Sequence, residues 1–194
     1  MTKKLQPLIS IIIPAFNAQA SIERAVSSVL NQTYRSIELI VINDCSFDNT
    51  PDLLEGFLRK TNKITVIENR TNKGVAAARN QGIDAATGDW IAFLDADDYF
   101  NQSYLEKVHS FFEHQDFVST SYVEIGAGDH EKQKNNQMST NTDLYDEALL
   151  DYMELYYLTP YQNTAFVHCW NKFFLKNIIE KHALRFNESL NQLE

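Results

Sequence analysis

Four short apolar runs punctuate the first half of the chain: Leu8-Ile9-Ser10-Ile11-Ile12-Ile13, Glu38-Leu39-Ile40-Val41-Ile42, Ile64-Thr65-Val66-Ile67 and Trp90-Ile91-Ala92-Phe93-Leu94. Near-continuous β-branched runs of this length mark strands buried on both faces. Between them lie segments with helical period. Ile22, Val26, Val29 and Leu30 recur at i, i+4, i+7 and i+8, and Leu53, Leu54, Phe57 and Leu58 form a second apolar face. Val75 to Ala86 is an alanine-rich third helix, with Gly88 beyond its end as the closing residue. Thr50-Pro51 reads as a helix opening, with a hydroxyl cap followed by proline. Strands alternating with helices predict an α/β fold, a mostly parallel sheet with helices on both faces.

The second half is less regular. Ser103 is expected to cap a helix carrying Leu105, Val108, Phe111 and Phe112. Residues 117–125 read as one further strand, 126–142 as a polar surface loop, 144–158 as a helix and 171–181 as a last helix. The organisation expected is a core over residues 1–120 and a partial, helical second region over 121–194.

Composition removes several classes of function. With 44% hydrophobic residues in 194, the chain has the make-up of a folded domain. No stretch reaches the roughly 18 apolar residues of a membrane helix. A formal charge of −9 argues against a general nucleic-acid binder. Cys45 and Cys169 match no metal spacing, so a reducing, cytoplasmic setting is expected, with peripheral contact at the inner face of the plasma membrane left open. The histidines at 109, 114, 168 and 182 form no metal pair.

In open parallel sheets ligands bind beyond the carboxyl ends of the strands. The four loops there are Pro14-Ala15-Phe16-Asn17, Asn43-Asp44-Cys45-Ser46, Asn72-Lys73-Gly74 and Asp95-Ala96-Asp97-Asp98. Three carboxylates within four residues repel one another unless a divalent cation neutralises them; the alternative is a solvated acidic helix start. Hard oxygen ligands select Mg²⁺ or Mn²⁺ and leave positions for phosphate oxygens. Phe16 is an aromatic face for a base or a packing residue. Asp44 is an acceptor for a nucleoside or a turn residue, and Lys73 a diphosphate contact or a solvated lysine. Arg79 lies in a small apolar segment and needs a partner, for which acids 95–98 are the candidates. Neither a glycine-rich dinucleotide fingerprint nor a P-loop is present, so diphosphate would be held through metal.

Ser10-Ile-Ile-Ile-Pro-Ala-Phe-Asn17, Gln32-Thr33-Tyr34, Ile37 to Ser46, Asn72 to Asn80 and Phe93 to Asp98 resemble, in order and spacing, the family 2 glycosyltransferases of the GT-A fold. Cys169 to Phe174 and Leu184-Arg185-Phe186 resemble the acceptor-side half of bacterial polysaccharide-type members. The resemblance implies inverting transfer from a nucleotide-sugar, usually a UDP-sugar, to a glycan or lipid-linked acceptor hydroxyl. Pro14, Phe16 and Asn17 would lie at the base pocket, and Asp44 would bond the base. Lys73 and Arg79 would lie on the donor side. Asp95, Ala96 and Asp97 would meet ribose and diphosphate, with Asp95, Asp97 and Asp98 as the metal set. Asn43 departs from the pattern, standing where the family commonly has a first acid. The family's aspartate base is expected just after Glu194, so this chain reads as a piece of a longer enzyme that binds donor but transfers poorly; Glu188 is a substitute candidate. The alternatives are a non-catalytic sugar-nucleotide-binding module and a sugar nucleotidyltransferase.

Overall fold

The computed structural model describes residues 6–120, 122–125, 131–134 and 169–189. Two compact units are present, Met1–Val118 with Lys172–Leu193, and Ser119–Asn171 with Glu194. Strands β1 (Ile9–Ala15), β2 (Ile37–Asn43), β3 (Ile64–Glu68) and β4 (Trp90–Phe93) alternate with helices α1 (Ile22–Leu30), α2 (Thr50–Leu58) and α3 (Val75–Ala85). A short α4 (Tyr104–Val108) and one turn of 3₁₀ helix precede β5 (Phe117–Ser119). Strands β6 (Tyr122–Ile125) and β7 (Glu131–Lys134) follow, then β8 (Lys172–Leu175) and α5 (Lys176–Lys181).

The main sheet runs β3-β2-β1-β4-β8-β5. Its first four strands are parallel, with Ile12 of β1 between Ile40 and Phe93. Strand order therefore steps away from β1 in both directions, and loops from β1, β2 and β4 meet on one edge. Ile9, Ile11, Ile12 and Ile13 are fully buried, each contributing roughly 2 kcal/mol over an exposed position. That burial explains why β1 shows no polar alternation.

At the opposite edge, Glu38 ties three elements together. It accepts hydrogen bonds from the Ser10 hydroxyl, the Thr87 amide and hydroxyl, and the Gly88 amide. Burial alone would raise this carboxyl, but those donors outweigh it and hold it below its ordinary value. Gly88 does not end α3 through a left-handed turn. It is a close-approach glycine, since a Cβ there would lie 2.5 Å from Ser10 Oγ and 2.8 Å from the Leu8 carbonyl oxygen.

Several expectations need correction. Residues 171–181 are not one helix, because Lys172–Leu175 form β8, antiparallel to β4. Phe173 is fully buried there and packs with Tyr104 and Phe112. The exposed edge of β4 needed a partner, and an apolar Phe-Phe-Leu run satisfies a strand as well as a helix. The strand expected over 117–125 is two, β5 and β6, and the polar loop 126–142 contains β7, which pairs antiparallel with β6. Thr50 is not the cap of α2; Asn49 holds that position, while the Thr50 hydroxyl accepts from the Ala18 amide. The helix expected over 144–158 lies outside the described residues. Among the described residues no helix is long and apolar enough to cross a membrane.

Candidate functional site

The loops after β1 and β2 are laced together by backbone donors and short polar side chains. Asn17 N–H donates to Ser46 Oγ at 2.9 Å, and Phe47 N–H donates to Asn17 Oδ1 at 3.0 Å. Gln19 N–H donates to Asp48, and Asn49 N–H returns a bond to Gln19. Asn17 and Cys45 both sit at positive φ, 50° and 64°, a region asparagine tolerates better than most residues. This lacing leaves two rings facing solvent. Phe16 is 46% exposed and Phe47 is 84% exposed, edge to face at 5.7 Å. Phe16 is thus not core packing. Phe47 escaped the sequence reading, where it stands in an otherwise polar loop.

Asp44 lies beneath this edge, 3% exposed. Asn69 Nδ2 donates to its Oδ1 at 2.7 Å, Lys73 N–H bridges both oxygens at 3.0 and 2.9 Å, and Gly74 N–H donates to Oδ2 at 2.7 Å. These four contacts, two on each oxygen, engage the roughly four lone-pair positions of the carboxylate. Asp44 therefore organises the β3–α3 loop as well as facing the edge. At Lys73 the backbone amide, rather than the side chain, makes this contact. Gly74 begins α3 at φ 86°, where a side chain would be strained.

Arg79 finds the partner its surroundings demand. Residue 79 is 6% exposed, its Nη2 lies 3.0 Å from Asp95 Oδ1, and its guanidinium sits 5.5 Å from the Phe186 ring centroid. The next residue, Asn80, exchanges hydrogen bonds with the Phe186 backbone and donates to Glu188 at 2.9 Å. Glu188 is thereby a held carboxylate on the 186–188 segment. Asn80 and Phe186 each lie in a segment singled out from sequence, but their pairing, which spans 106 residues, was not read there.

At the end of β4, Asp98 N–H donates to the Asp95 carbonyl, making a tight turn. Ala96 packs against the core, and Asp97 and Asp98 remain exposed. Arg24, from α1, donates to the Asp97 carbonyl oxygen at 2.6 Å and lies 4.7 Å from the Tyr99 ring centroid. Desolvation and the charges of Asp97 and Asp95 push the Asp98 carboxyl up to about 6, opposed by Arg24. Asp98 stays at the surface, so the like charges of its neighbours carry more of this rise than burial does.

These carboxylates are tested against a divalent cation by their own chemistry. They are oxygen ligands crowded enough that Asp97 and Asp95 raise the Asp98 carboxyl, which a cation would relieve. Among the described residues no three acidic, histidine or cysteine side chains converge as a closed cluster, and Asp95 is committed to Arg79. Asp97 and Asp98 fit a metal completed by substrate oxygens, as for magnesium on phosphates.

The parallel strands, the edge loops and the acidic turn follow the plan of a GT-A fold, and comparison with known proteins agrees. S. aureus TarS 1–349 in complex with UDP superimposes with a TM-score of 0.71 at 22% identity, covering 95% of this chain and 52% of that 1–349 chain. The mannosyltransferase PcManGT of Pyrobaculum calidifontis, in complex with GDP-Man and Mn²⁺, gives 0.66 at 17% identity, covering 95% and 49%. An uncharacterized glycosyltransferase of Haemophilus influenzae is 34% identical over 188 residues, 94% of this chain and 56% of that protein. The Glycosyl transferase family 2 profile matches residues 10–183, and the chain belongs to that family. It spans about half the length of each of these three relatives.

Proposed function

We propose that the chain carries the donor-binding half of a metal-dependent, inverting glycosyltransferase that moves a sugar from a nucleotide-sugar to a glycan or lipid-linked acceptor hydroxyl. The observation that carries this reading is the convergence of Asp44, the Phe16–Phe47 pair and the acidic turn on one strand edge. The two rings offer an exposed aromatic face for a nucleobase, and a base N–H would take the Asp44 position that the bifurcated Lys73 amide now shares. Pro14 and Asn17 shape this end, with Lys73 at its rim. Asp95, tied to Arg79, lies on the ribose side.

Asp97 and Asp98 would hold Mn²⁺ or Mg²⁺, which supplies charge neutralisation for a departing nucleoside diphosphate. Arg24 braces the turn from below through the Asp97 carbonyl, so the two carboxylates keep their direction without giving up an oxygen. Inverting transfer also needs a general base on the acceptor side. Glu188 is held by Asn80, and no described carboxylate receives that role.

The support from relatives is that TarS is solved with UDP and PcManGT with GDP-Man and Mn²⁺. The test is calorimetric titration with UDP and GDP, with and without Mn²⁺. The reading expects metal-enhanced binding that Asp97→Ala weakens at least tenfold. Binding indifferent to both metal and Asp97 would overturn it.

A further inference from the structure

Behind the acidic turn, α1 and residues 100–102 enclose an open hollow of about 540 Å³. Arg24 and Arg35 both line it, while no aspartate or glutamate among the described residues does. The hollow is therefore doubly positive on a chain of net charge −9. Arg24 is held from two sides, by the Asp97 carbonyl and the Tyr99 ring, which fixes its fork before any ligand arrives. The side chains of Ser27, Asn31 and Gln102 also line the space and make no hydrogen bond to another described residue. The Arg35 guanidinium likewise has no carboxylate partner among the described residues. Ser28 is different, since its hydroxyl already bonds Ala25 and receives the Phe100 amide. Two guanidiniums, three uncommitted polar side chains and a phenylalanine wall make a donor-rich cavity with no carboxylate in its lining.

We propose that this hollow is a metal-independent binding site for a phosphoryl anion, with Arg35 and Arg24 as its charged contacts. Guanidinium forks bind phosphate oxygens in pairs, and two forks in one hollow suit a diphosphate or a phosphorylated headgroup. The site is separate from the acidic edge in its charge, its residues and its indifference to metal. It adjoins that edge through Arg24, which lines the hollow and also holds the Asp97 carbonyl and opposes the charge of Asp98.

The probe is inorganic pyrophosphate, titrated into the chain in low-salt buffer with EDTA and followed by calorimetry and amide NMR. The expected result is saturable binding that shifts the amides of residues 27–31 and 100–102. Arg35→Gln and Asn31→Asp, both at exposed positions, should each weaken it at least tenfold, while Arg35→Lys retains part of it. Thermal melting checks that each variant is folded. Co-sedimentation with phosphatidylglycerol-containing vesicles, lost in Arg35→Gln, would identify a lipid headgroup as the source. Pyrophosphate binding without co-sedimentation would identify a soluble diphosphate. Absent binding, unchanged affinity in both weakening variants, or binding that requires Mn²⁺ and disappears in Asp97→Asn would overturn the proposal. The last result would leave the donor-site reading intact.

Discussion

Replacing Asp44 by alanine separates its structural work from its ligand contact. The carboxylate holds Asn69 Nδ2 and the amides of residues 73 and 74, which are 25, 29 and 30 residues away in sequence. Hydrogen bonds to a charged acceptor contribute about 1.5–3 kcal/mol each when buried. Counting about 2 for Asn69 and about 1 for each amide nearer solvent gives roughly 4 kcal/mol. Relief of the buried charge returns part of that, so the expected loss is about 2–4 kcal/mol. With a urea slope of about 2 kcal/mol/M, the midpoint should fall by about 1–2 M. The assay is urea unfolding of the ligand-free chain followed by far-UV circular dichroism, together with hydrogen exchange at the amides of 73 and 74. Asp44→Asn should lie between, because one amide oxygen still accepts. A midpoint within about 0.3 M of wild type, with protection of those two amides unchanged, would refute the claim that Asp44 builds the loop.

Phe16→Ala should weaken nucleoside diphosphate binding by roughly 1–3 kcal/mol, about 5- to 150-fold in Kd, by calorimetry. It should leave the melting temperature nearly unchanged, since the ring is already 46% exposed. Gly88→Ala should cost about 1–3 kcal/mol in thermal unfolding, because its Cβ meets Ser10 and the Leu8 carbonyl. Gly56→Ala, in α2 with nothing within 4 Å, should instead stabilise by up to about 1 kcal/mol. Asp98 has a raised carboxyl, about 6, so its ionisation opposes folding. That penalty is absent below the ordinary carboxylate range near pH 4, grows as pH rises, and is complete above about 6. Metal-free Asp98→Asn should therefore melt higher than wild type near pH 7.5 and alike near pH 3.5. Equal melting at both pH values would count against the crowding of charge at this turn.

Local pattern was enough for the four parallel strands and their helices, because a β-branched run such as 9–13 is legible wherever it is buried on both faces. It was enough, too, to place Asp44, Arg79 and acids 95–98 on one edge, since strand ends and the loops after them are read along the chain. It did not distinguish strand from helix at Lys172–Leu175, where a short apolar run fits either and the edge of β4 decided.

By itself, then, the sequence determined the alternation of elements and the chemistry available at their ends. Only the tertiary structure decided how that chemistry is deployed. Asp44 received its loop donors, Arg79 its place between Asp95 and Phe186, and Arg24 its hold on a carbonyl 73 residues away. Periodicity reports what each segment buries against its immediate surroundings. Hydrogen bonds and ion pairs between distant residues depend on side-chain positions to a few tenths of an ångström, and those exist only once the sheet has assembled.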